Sequence, residues 1–155
     1  MRPLLLLDVD GVLMPTGTSV PPGFERHFGD DYEVVVSHEH GVWLRQLAEL
    51  FDLVWATTWG ASAAPIFGRL LRLPPMPAIE LRHLVHDGTP KLTDVASFVG
   101  ERPMAWVDDE LFEDAFGWAA DRRAPTLLIR ASGSRGLSRE NFDQLLAFGQ
   151  RVISE

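Results

Sequence analysis

The chain has 155 residues, no cysteine and a formal net charge of −8. Without cysteine it has neither a disulfide framework nor a thiolate metal site, and its acidic balance disfavours a general affinity for nucleic-acid phosphates. The length suits one domain with a single core, and no apolar run approaches the roughly 20 residues that a membrane-spanning helix needs. We therefore expect a cytoplasmic protein that has no membrane partner.

Short apolar runs alternate with helix-like stretches along the chain. The expected strands are Leu4–Leu7, Leu53–Thr57, Met104–Val107 and Thr126–Ile129. The expected helices lie near Val42–Leu50, Ala63–Leu71, Leu92–Val99, Leu111–Ala120 and Asn141–Ile153. Ser138 precedes the last helix and is suited to cap it. This alternation predicts an α/β fold with a parallel sheet that is covered by helices on both faces.

Two stretches break the alternation. Residues 15–37 are rich in turn residues and then contain a run of three valines, which predicts a loop or small hairpin projecting from the first strand. Leu73–Gly88 is rich in proline and holds a short edge-strand candidate near Ala78–Leu81. Since neither stretch is long enough for an independent domain, we expect one domain over residues 1–155 with a flap-like insertion at about 14–38.

The first apolar strand ends abruptly in two carboxylates and a glycine. Asp8 and Asp10 are two residues apart, so in an extended chain both side chains point the same way, and Gly11 allows a sharp turn. Neighbouring carboxylates repel each other unless a cation or a shared proton relieves them, and hard oxygen ligands suit Mg²⁺. The alternatives are a simple turn and a calcium loop. A calcium loop needs further acids at fixed offsets, whereas the apolar segment Val12–Pro15 follows here.

Two weaker signals lie between the first and third core strands. Thr57 and Thr58 follow a strand and precede a helix, where a hydroxyl and free backbone N–H groups can hold a phosphate or simply cap the helix. The next residue, Trp59, could line the mouth of such a site. Lys91 is the only lysine of the chain and begins the helix at Leu92–Val99, either as a surface residue or as a cation aimed at the sheet edge.

Asp108 and Asp109 repeat the pattern of the first strand, because an apolar run again stops in adjacent acids. The carboxyl ends of parallel strands meet at one edge of a sheet, which is where ligands bind in open α/β folds. A second acidic strand end at this edge would complete an oxygen-rich Mg²⁺ site with Asp8 and Asp10.

The remaining charged residues give less specific signals. Arg130, Arg135 and Arg139 flank a loop rich in glycine and serine, where they could grip a polyanionic substrate or be ordinary surface charge. The histidine pairs His38/His40 and His83/His86 suggest no third nitrogen or sulfur ligand, so we interpret them as exposed loop residues.

Four motifs occur in the order found in the haloacid dehalogenase (HAD) superfamily, which the chain resembles from residue 4 to about 130: Asp8-x-Asp10-Gly11-Val12, Thr57 after a hydrophobic strand, Lys91, and Asp108-Asp109. Residues 53–59 and 102–110 are further similar to small HAD domains associated with RNA-repair proteins. The resemblance implies a HAD-like, Rossmann-like three-layer sandwich with a minimal cap.

The resemblance also implies a Mg²⁺-dependent phosphatase that hydrolyses a phosphomonoester through an aspartyl-phosphate. Asp8 would be the nucleophile, and Asp10 would protonate the leaving group and then activate water. Thr57 and Lys91 would hold the phosphoryl oxygens. Mg²⁺ would be bound by the Asp8 carboxylate, the Asp10 carbonyl, and Asp109 together with Asp108. The other substrate-binding candidates are Gly11, Thr58, Arg130 and Arg135.

An acid two residues after the nucleophile is typical of the phosphatases and phosphomutases of the superfamily, and the absence of a sizeable cap favours a phosphatase. Two alternatives stay open: a non-catalytic or weakly catalytic module that binds phosphorylated ends, and a phosphatase that processes nucleic-acid ends. An uncapped site admits the end of a polymer, so we expect a phosphorylated substrate that is extended or macromolecular. The net charge gives a nucleic-acid partner no support.

Overall fold

The structure is a computed structural model and describes residues 1–155. In chain order its strands are β1 (Leu4–Leu7), β2 (Glu25–Phe28), β3 (Glu33–Val36), β4 (Asp52–Trp55), β5 (Met104–Asp108) and β6 (Thr126–Arg130). Its α-helices are α1 (His38–Leu47), α2 (Leu92–Val99), α3 (Glu113–Asp121) and α4 (Arg139–Ser154). Four strands form one parallel sheet in the spatial order β4-β1-β5-β6, whereas β2 and β3 pair antiparallel in a separate hairpin.

The central strand β1 contributes its two faces to different parts of the core, as the period-two geometry of a strand requires. Leu5 and Leu7 pack in a cluster that includes side chains of α1 and α4, whereas Leu4 and Leu6 pack in a second cluster with side chains of α2 and α3. The sheet is therefore covered by helices on both faces. This arrangement confirms the predicted α/β fold with a central parallel sheet.

The observed elements differ from the predicted ones where local hydrogen bonding overrides the apolar pattern. The helix expected over Ala63–Leu71 is found over residues 63–70, but its middle is π-helical at Ala64–Gly68 and a 3₁₀ turn at Gly60–Ser62 precedes it. Pro65 lies in the first turn of this segment, where a backbone N–H has no acceptor within the helix, so proline is tolerated there. The cap of α4 is as predicted, since Ser138 Oγ accepts the Asn141 N–H at 3.0 Å.

The other boundary differences are small. α1 begins at His38, earlier than predicted, because the extended Ser37 precedes it. α3 begins only at Glu113, because the Phe112 N–H donates to a side chain outside the helix. The edge strand expected near Ala78–Leu81 is reduced to a single parallel bridge between Ala78 and Trp55.

The hairpin of β2 and β3 lies within the stretch that the sequence marks as an insertion. Val34 and Val36 of β3 are buried in the main core cluster, whereas β2 is largely exposed. Phe24, just before β2, packs edge-on against His40 of α1, with the ring centroids 5.4 Å apart. One strand of the hairpin is thus anchored in the core while the other faces outward. None of the helices combines the length and apolar character that crossing a membrane would require.

Candidate active site

The register of the parallel sheet brings two acidic strand ends to the same level. Leu7 of β1 lies beside Val107 of β5, so Asp8 and Asp108, each one residue further along, are neighbours at the carboxyl edge. Both are buried, with 4% and 2% of the residue surface exposed. The structure therefore places two carboxylates side by side where ligands bind in open α/β sheets.

Lys91 lies between these two acids. Its Nζ is 2.8 Å from Asp8 Oδ1 and 2.8 Å from Asp108 Oδ2. The lysine immediately precedes α2, and only 9% of its side chain is exposed. It is thus a buried cation aimed at the sheet edge and not a solvated surface residue, which resolves the two interpretations that the sequence left open.

The burial of several charges in one place shifts their proton affinities. Burial and the adjacent Asp108 carboxylate raise the pKa of Asp8 to about 8, although Lys91 opposes the shift. Burial lowers the pKa of Lys91, but the attraction of Asp108 and Asp8 outweighs it and leaves the pKa above its ordinary value. Burial and Asp108 also raise the pKa of Asp109. The site holds more negative charge than one ammonium balances, so an added cation would relieve it.

Asp109 is less buried than Asp108 and packs against two glycines. A Cβ on Gly11 would collide with the Asp109 carboxylate, and one on Gly133 would come within 3.1 Å of it. Gly11 also has a φ of +80°, which glycine adopts far more readily than other residues. The glycine that sequence analysis placed among the substrate-binding residues therefore makes room for an acidic side chain.

The acids form a group that could hold a metal ion. One carboxylate oxygen each from Asp8, Asp108 and Asp109 lies within 4.8 Å of the others. Asp108 already accepts from Lys91 and from the Glu110 N–H at 3.0 Å, whereas Asp109 has no ion-pair partner. These are hard oxygen donors of the kind that Mg²⁺ prefers, so the residues present fit this ion.

Asp10 is held apart from the group of three acids. Its Oδ2 accepts a hydrogen bond from the indole Nε1–H of Trp59 at 3.1 Å. Its backbone carbonyl accepts no hydrogen bond from the protein. Asp10 can therefore offer a main-chain oxygen to a metal while its side chain is held elsewhere. The sequence placed Trp59 only at the mouth of the site and did not reveal this contact.

The two threonines after β4 have different environments. Thr57 is buried, and its Oγ1 accepts the Trp59 N–H at 3.2 Å; this is a local turn contact and not a helix cap, because Trp59 is the N-cap residue of the 3₁₀ turn and that turn has no side-chain cap hydrogen bond. Thr58 is exposed and lines two open pockets of about 680 Å³ and about 600 Å³. Asp31 and Glu33 of the hairpin line the larger pocket, so that side of the site is negatively charged.

A hydrogen-bond network holds the segment that precedes Lys91. Thr89 is fully buried, and its Oγ1 donates to Asp114 Oδ1 at 2.6 Å and accepts the Phe112 N–H at 2.8 Å. Asp114 also accepts the Thr89 N–H at 2.9 Å, and its hydrogen bonds with Thr89 lower the pKa of its carboxyl. The start of α3 thereby positions the turn that presents Lys91. The sequence contains no signal for this contact, because it joins residues far apart in the chain.

The arginines near the last strand have separate surroundings. The guanidinium of Arg130 lies over the ring of Phe112, 5.3 Å from its centroid. Arg139 is ion-paired within α4, and Arg135 is exposed. The loop that they flank does reach the site, because it packs against Asp109. Of the three arginines, only Arg139 forms an ion pair, with Asp143 on the same helix.

Comparison with known proteins identifies the fold. No family model and no curated protein matches the chain. Among solved structures, the chain is similar to one described as a hydrolase of the HAD superfamily, subfamily III A, from Legionella pneumophila. The TM-score is 0.51 at 16% sequence identity, and the similarity covers 98% of this chain and 86% of the other. The fold is therefore HAD-like, as the sequence motifs implied.

Proposed function

Starting from the HAD-like fold, we propose that the protein is a Mg²⁺-dependent phosphatase that hydrolyses a phosphomonoester through an aspartyl-phosphate on Asp8. The observation that carries the proposal is the position of Lys91, whose Nζ lies 2.8 Å from carboxylate oxygens of both Asp8 and Asp108. A fixed ammonium beside a carboxylate nucleophile can neutralise the phosphoryl group that the nucleophile attacks.

In the first step a carboxylate oxygen of Asp8 forms a bond to phosphorus while the bond from phosphorus to the substrate oxygen breaks. Asp10 acts as the general acid and gives the leaving oxygen its proton. The products are the free alcohol and an aspartyl-phosphate. Trp59 is a positioning residue in this scheme, because its indole N–H holds the Asp10 carboxylate.

In the second step a water oxygen attacks phosphorus and Asp10 takes the proton of the water. The bond between phosphorus and Asp8 breaks, which releases inorganic phosphate and restores the carboxylate. Lys91 and Thr57 hold phosphoryl oxygens in both steps. Thr57 Oγ1 accepts a backbone N–H but donates to no protein group, so its hydroxyl hydrogen is available for the phosphoryl group.

Mg²⁺ would be held by the Asp8 carboxylate, the Asp10 carbonyl and Asp109, and it would neutralise charge on the transferring phosphoryl group. We assign direct coordination to Asp109 and not to Asp108, because both oxygens of Asp108 already accept hydrogen bonds. Asp108 instead orients the ammonium of Lys91. The packing of Asp109 against Gly11 leaves its carboxylate close to the turn that carries the free carbonyl.

We further propose that the substrate is an extended or macromolecular phosphoester, for which a nucleic-acid end is one candidate. The insertion supplies a hairpin in place of a domain-sized cap. The acidic wall formed by Asp31 and Glu33 disfavours a polyanion on the hairpin side of the site. The body of an anionic substrate would therefore leave the site on the side of Arg130 and Arg135.

Release of inorganic phosphate from p-nitrophenyl phosphate tests the catalytic proposal. We expect turnover with Mg²⁺ and none in Asp8→Asn, because an amide is a poor nucleophile and a weaker metal ligand. Asp87→Asn, a change of an exposed carboxylate outside the site, should leave the rate unchanged. If the wild type shows no turnover with Mg²⁺, Mn²⁺ or Co²⁺ at about pH 5 to 8 but binds a phosphorylated oligonucleotide, the protein is instead a module that binds phosphorylated ends.

A further inference from the structure

Three metal-ligating side chains converge on the outer face of the hairpin, away from the acids at the sheet edge. Glu25 and His27 are two residues apart in β2 and so share one face of the strand. His38 is the first residue of α1. The Nε2 atoms of the histidines are 3.2 Å apart, and Glu25 Oε2 is 3.3 Å from His38 Nε2 and 3.7 Å from His27 Nε2. The hairpin thereby brings an acid and two imidazoles from separate elements together.

These distances match the spacing of ligands around one small metal ion. Nitrogen or oxygen ligands about 2.0–2.1 Å from a tetrahedral zinc ion are about 3.3–3.4 Å from one another. The two imidazole rings are inclined by 80° and so do not stack face to face. One proton can be shared between only two of the three atoms at a time, whereas a cation interacts with all three lone pairs at once.

We propose that Glu25, His27 and His38 bind Zn²⁺, with water completing a tetrahedral set. Two imidazole ligands select zinc and similar transition metals over Mg²⁺, which prefers oxygen. The side chains keep 66%, 28% and 51% exposure respectively, so an ion reaches them from solvent. This site is separate from the acids that the proposed phosphatase function uses.

The bound ion would join β2 to the start of α1. Only β3 of the hairpin places valines in the main core cluster, so the ion would attach β2 itself to α1 through His38, beside the existing contact of Phe24 with His40. The neighbouring tip of the hairpin, with Asp31 and Glu33, lines the larger pocket beside Thr58. Zinc therefore fixes the segment that walls one side of the catalytic edge.

Titration of the full chain with Zn²⁺ alone, by calorimetry in the presence of excess Mg²⁺, tests the site. Excess Mg²⁺ competes with zinc for the acids at the sheet edge, and the histidine variants identify the group that a bound zinc ion occupies. We expect one equivalent of zinc, with an affinity on the order of 100-fold lower in His27→Gln and His38→Gln, because even changes to residues that only support metal ligands cost about 10–100-fold. The matched controls His83→Gln and His86→Gln should retain the wild-type affinity, since both residues are exposed elsewhere.

Two results would overturn the proposal. One is unchanged zinc affinity in both His27→Gln and His38→Gln. The other comes from ¹⁵N spectra of the histidine side chains in the wild type: the Nε2 resonances of His27 and His38 should shift on addition of one equivalent of zinc, and unshifted resonances would contradict the assignment. Neither outcome depends on phosphatase activity, so the zinc site and the proposed function can fail separately.

Discussion

At the scale of single residues, the proposed chemistry depends most directly on Lys91, the only lysine of the chain. The Lys91 ammonium fits between two buried carboxylates. A planar guanidinium keeps the charge but has a different shape and a different donor geometry. We expect Lys91→Arg to lower kcat/KM for p-nitrophenyl phosphate by at least about 100-fold, the typical cost of losing one donor to a transition-state oxyanion.

The control for this substitution is Arg130→Lys, which also conserves charge but changes a residue that lies over an aromatic ring near the sheet edge. It should alter the rate for the same small substrate by less than about threefold. Wild-type activity in Lys91→Arg would mean that the lysine has no role in holding the phosphoryl group. Urea unfolding of both variants separates lost activity from lost stability.

Trp59 offers a second test at the residue scale, because it contacts Asp10 and not the acids beside Lys91. In Trp59→Phe the Asp10 carboxylate loses its hydrogen-bond donor. We expect kcat/KM to fall about tenfold, which is less than the roughly 100-fold or greater loss expected when a general acid is removed altogether. The loss should be larger for an alkyl phosphate than for p-nitrophenyl phosphate, because an alkoxide needs protonation more than p-nitrophenolate does.

That dependence on the leaving group distinguishes positioning of an acid from a merely structural effect. A general disturbance of the fold would slow both substrates equally. Trp118→Phe serves as the matched control, since Trp118 lies in α3 and packs against the second core cluster. Equal losses for the two substrates in Trp59→Phe would contradict the role that we assign to Trp59.

At the scale of elements, His40 joins three parts of the chain. It lies in α1, its Nε2–H donates to the Leu137 carbonyl at 2.8 Å, and its ring packs edge-on against Phe24. Its Nδ1 is buried and has no partner. Charging the imidazole would place a proton on this nitrogen, so burial lowers the pKa of His40, although the Leu137 carbonyl and Glu39 oppose the shift.

The sign of the pH effect follows from proton binding. Below about pH 6.5 an unfolded chain protonates this histidine while the folded protein keeps it neutral, so stability is lost as the pH falls. We expect His40→Gln, which retains a side-chain N–H donor, to be less stable than wild type at about pH 7.5 and to approach wild type at about pH 5.5. Urea unfolding at both pH values measures the difference, with the exposed His86→Gln as the control.

At the scale of the whole molecule, two features act on the proposed substrate in opposite directions. The lack of a domain-sized cap admits the end of a polymer, whereas the net charge of −8 disfavours a polyanion. We expect kcat/KM for a 5′-phosphorylated oligonucleotide to exceed that for a small sugar phosphate and to fall with added salt. Exposed arginine contacts are screened within about 10 Å at 0.1 M salt. Arg135→Gln should reduce the rate for the oligonucleotide alone, and Arg151→Gln on α4 should change neither. A clear preference for the sugar phosphate would contradict this substrate class.

Much of the fold could be predicted because its elements are encoded locally. The run Leu4–Leu7 and the helix Leu92–Val99 are found with the predicted bounds, since an apolar run or a regular apolar period is visible in adjacent residues. The type of helix, in contrast, could not be predicted in every case. The expected helix near Ala63–Leu71 is present over residues 63–70, but it is π-helical at Ala64–Gly68, a departure that the apolar pattern does not indicate.

The sequence by itself determined which strands end in acids and hence which residues could meet at the sheet edge, because parallel strands align their carboxyl ends. Only the tertiary structure decided which groups pair there: that Lys91 bridges Asp8 and Asp108, and that Trp59 holds Asp10. The same is true of the histidines His27 and His38, which sequence spacing had not joined. Periodicity reports the face on which a residue lies, whereas its partners depend on how separate elements pack, and that packing is settled by contacts distant in sequence.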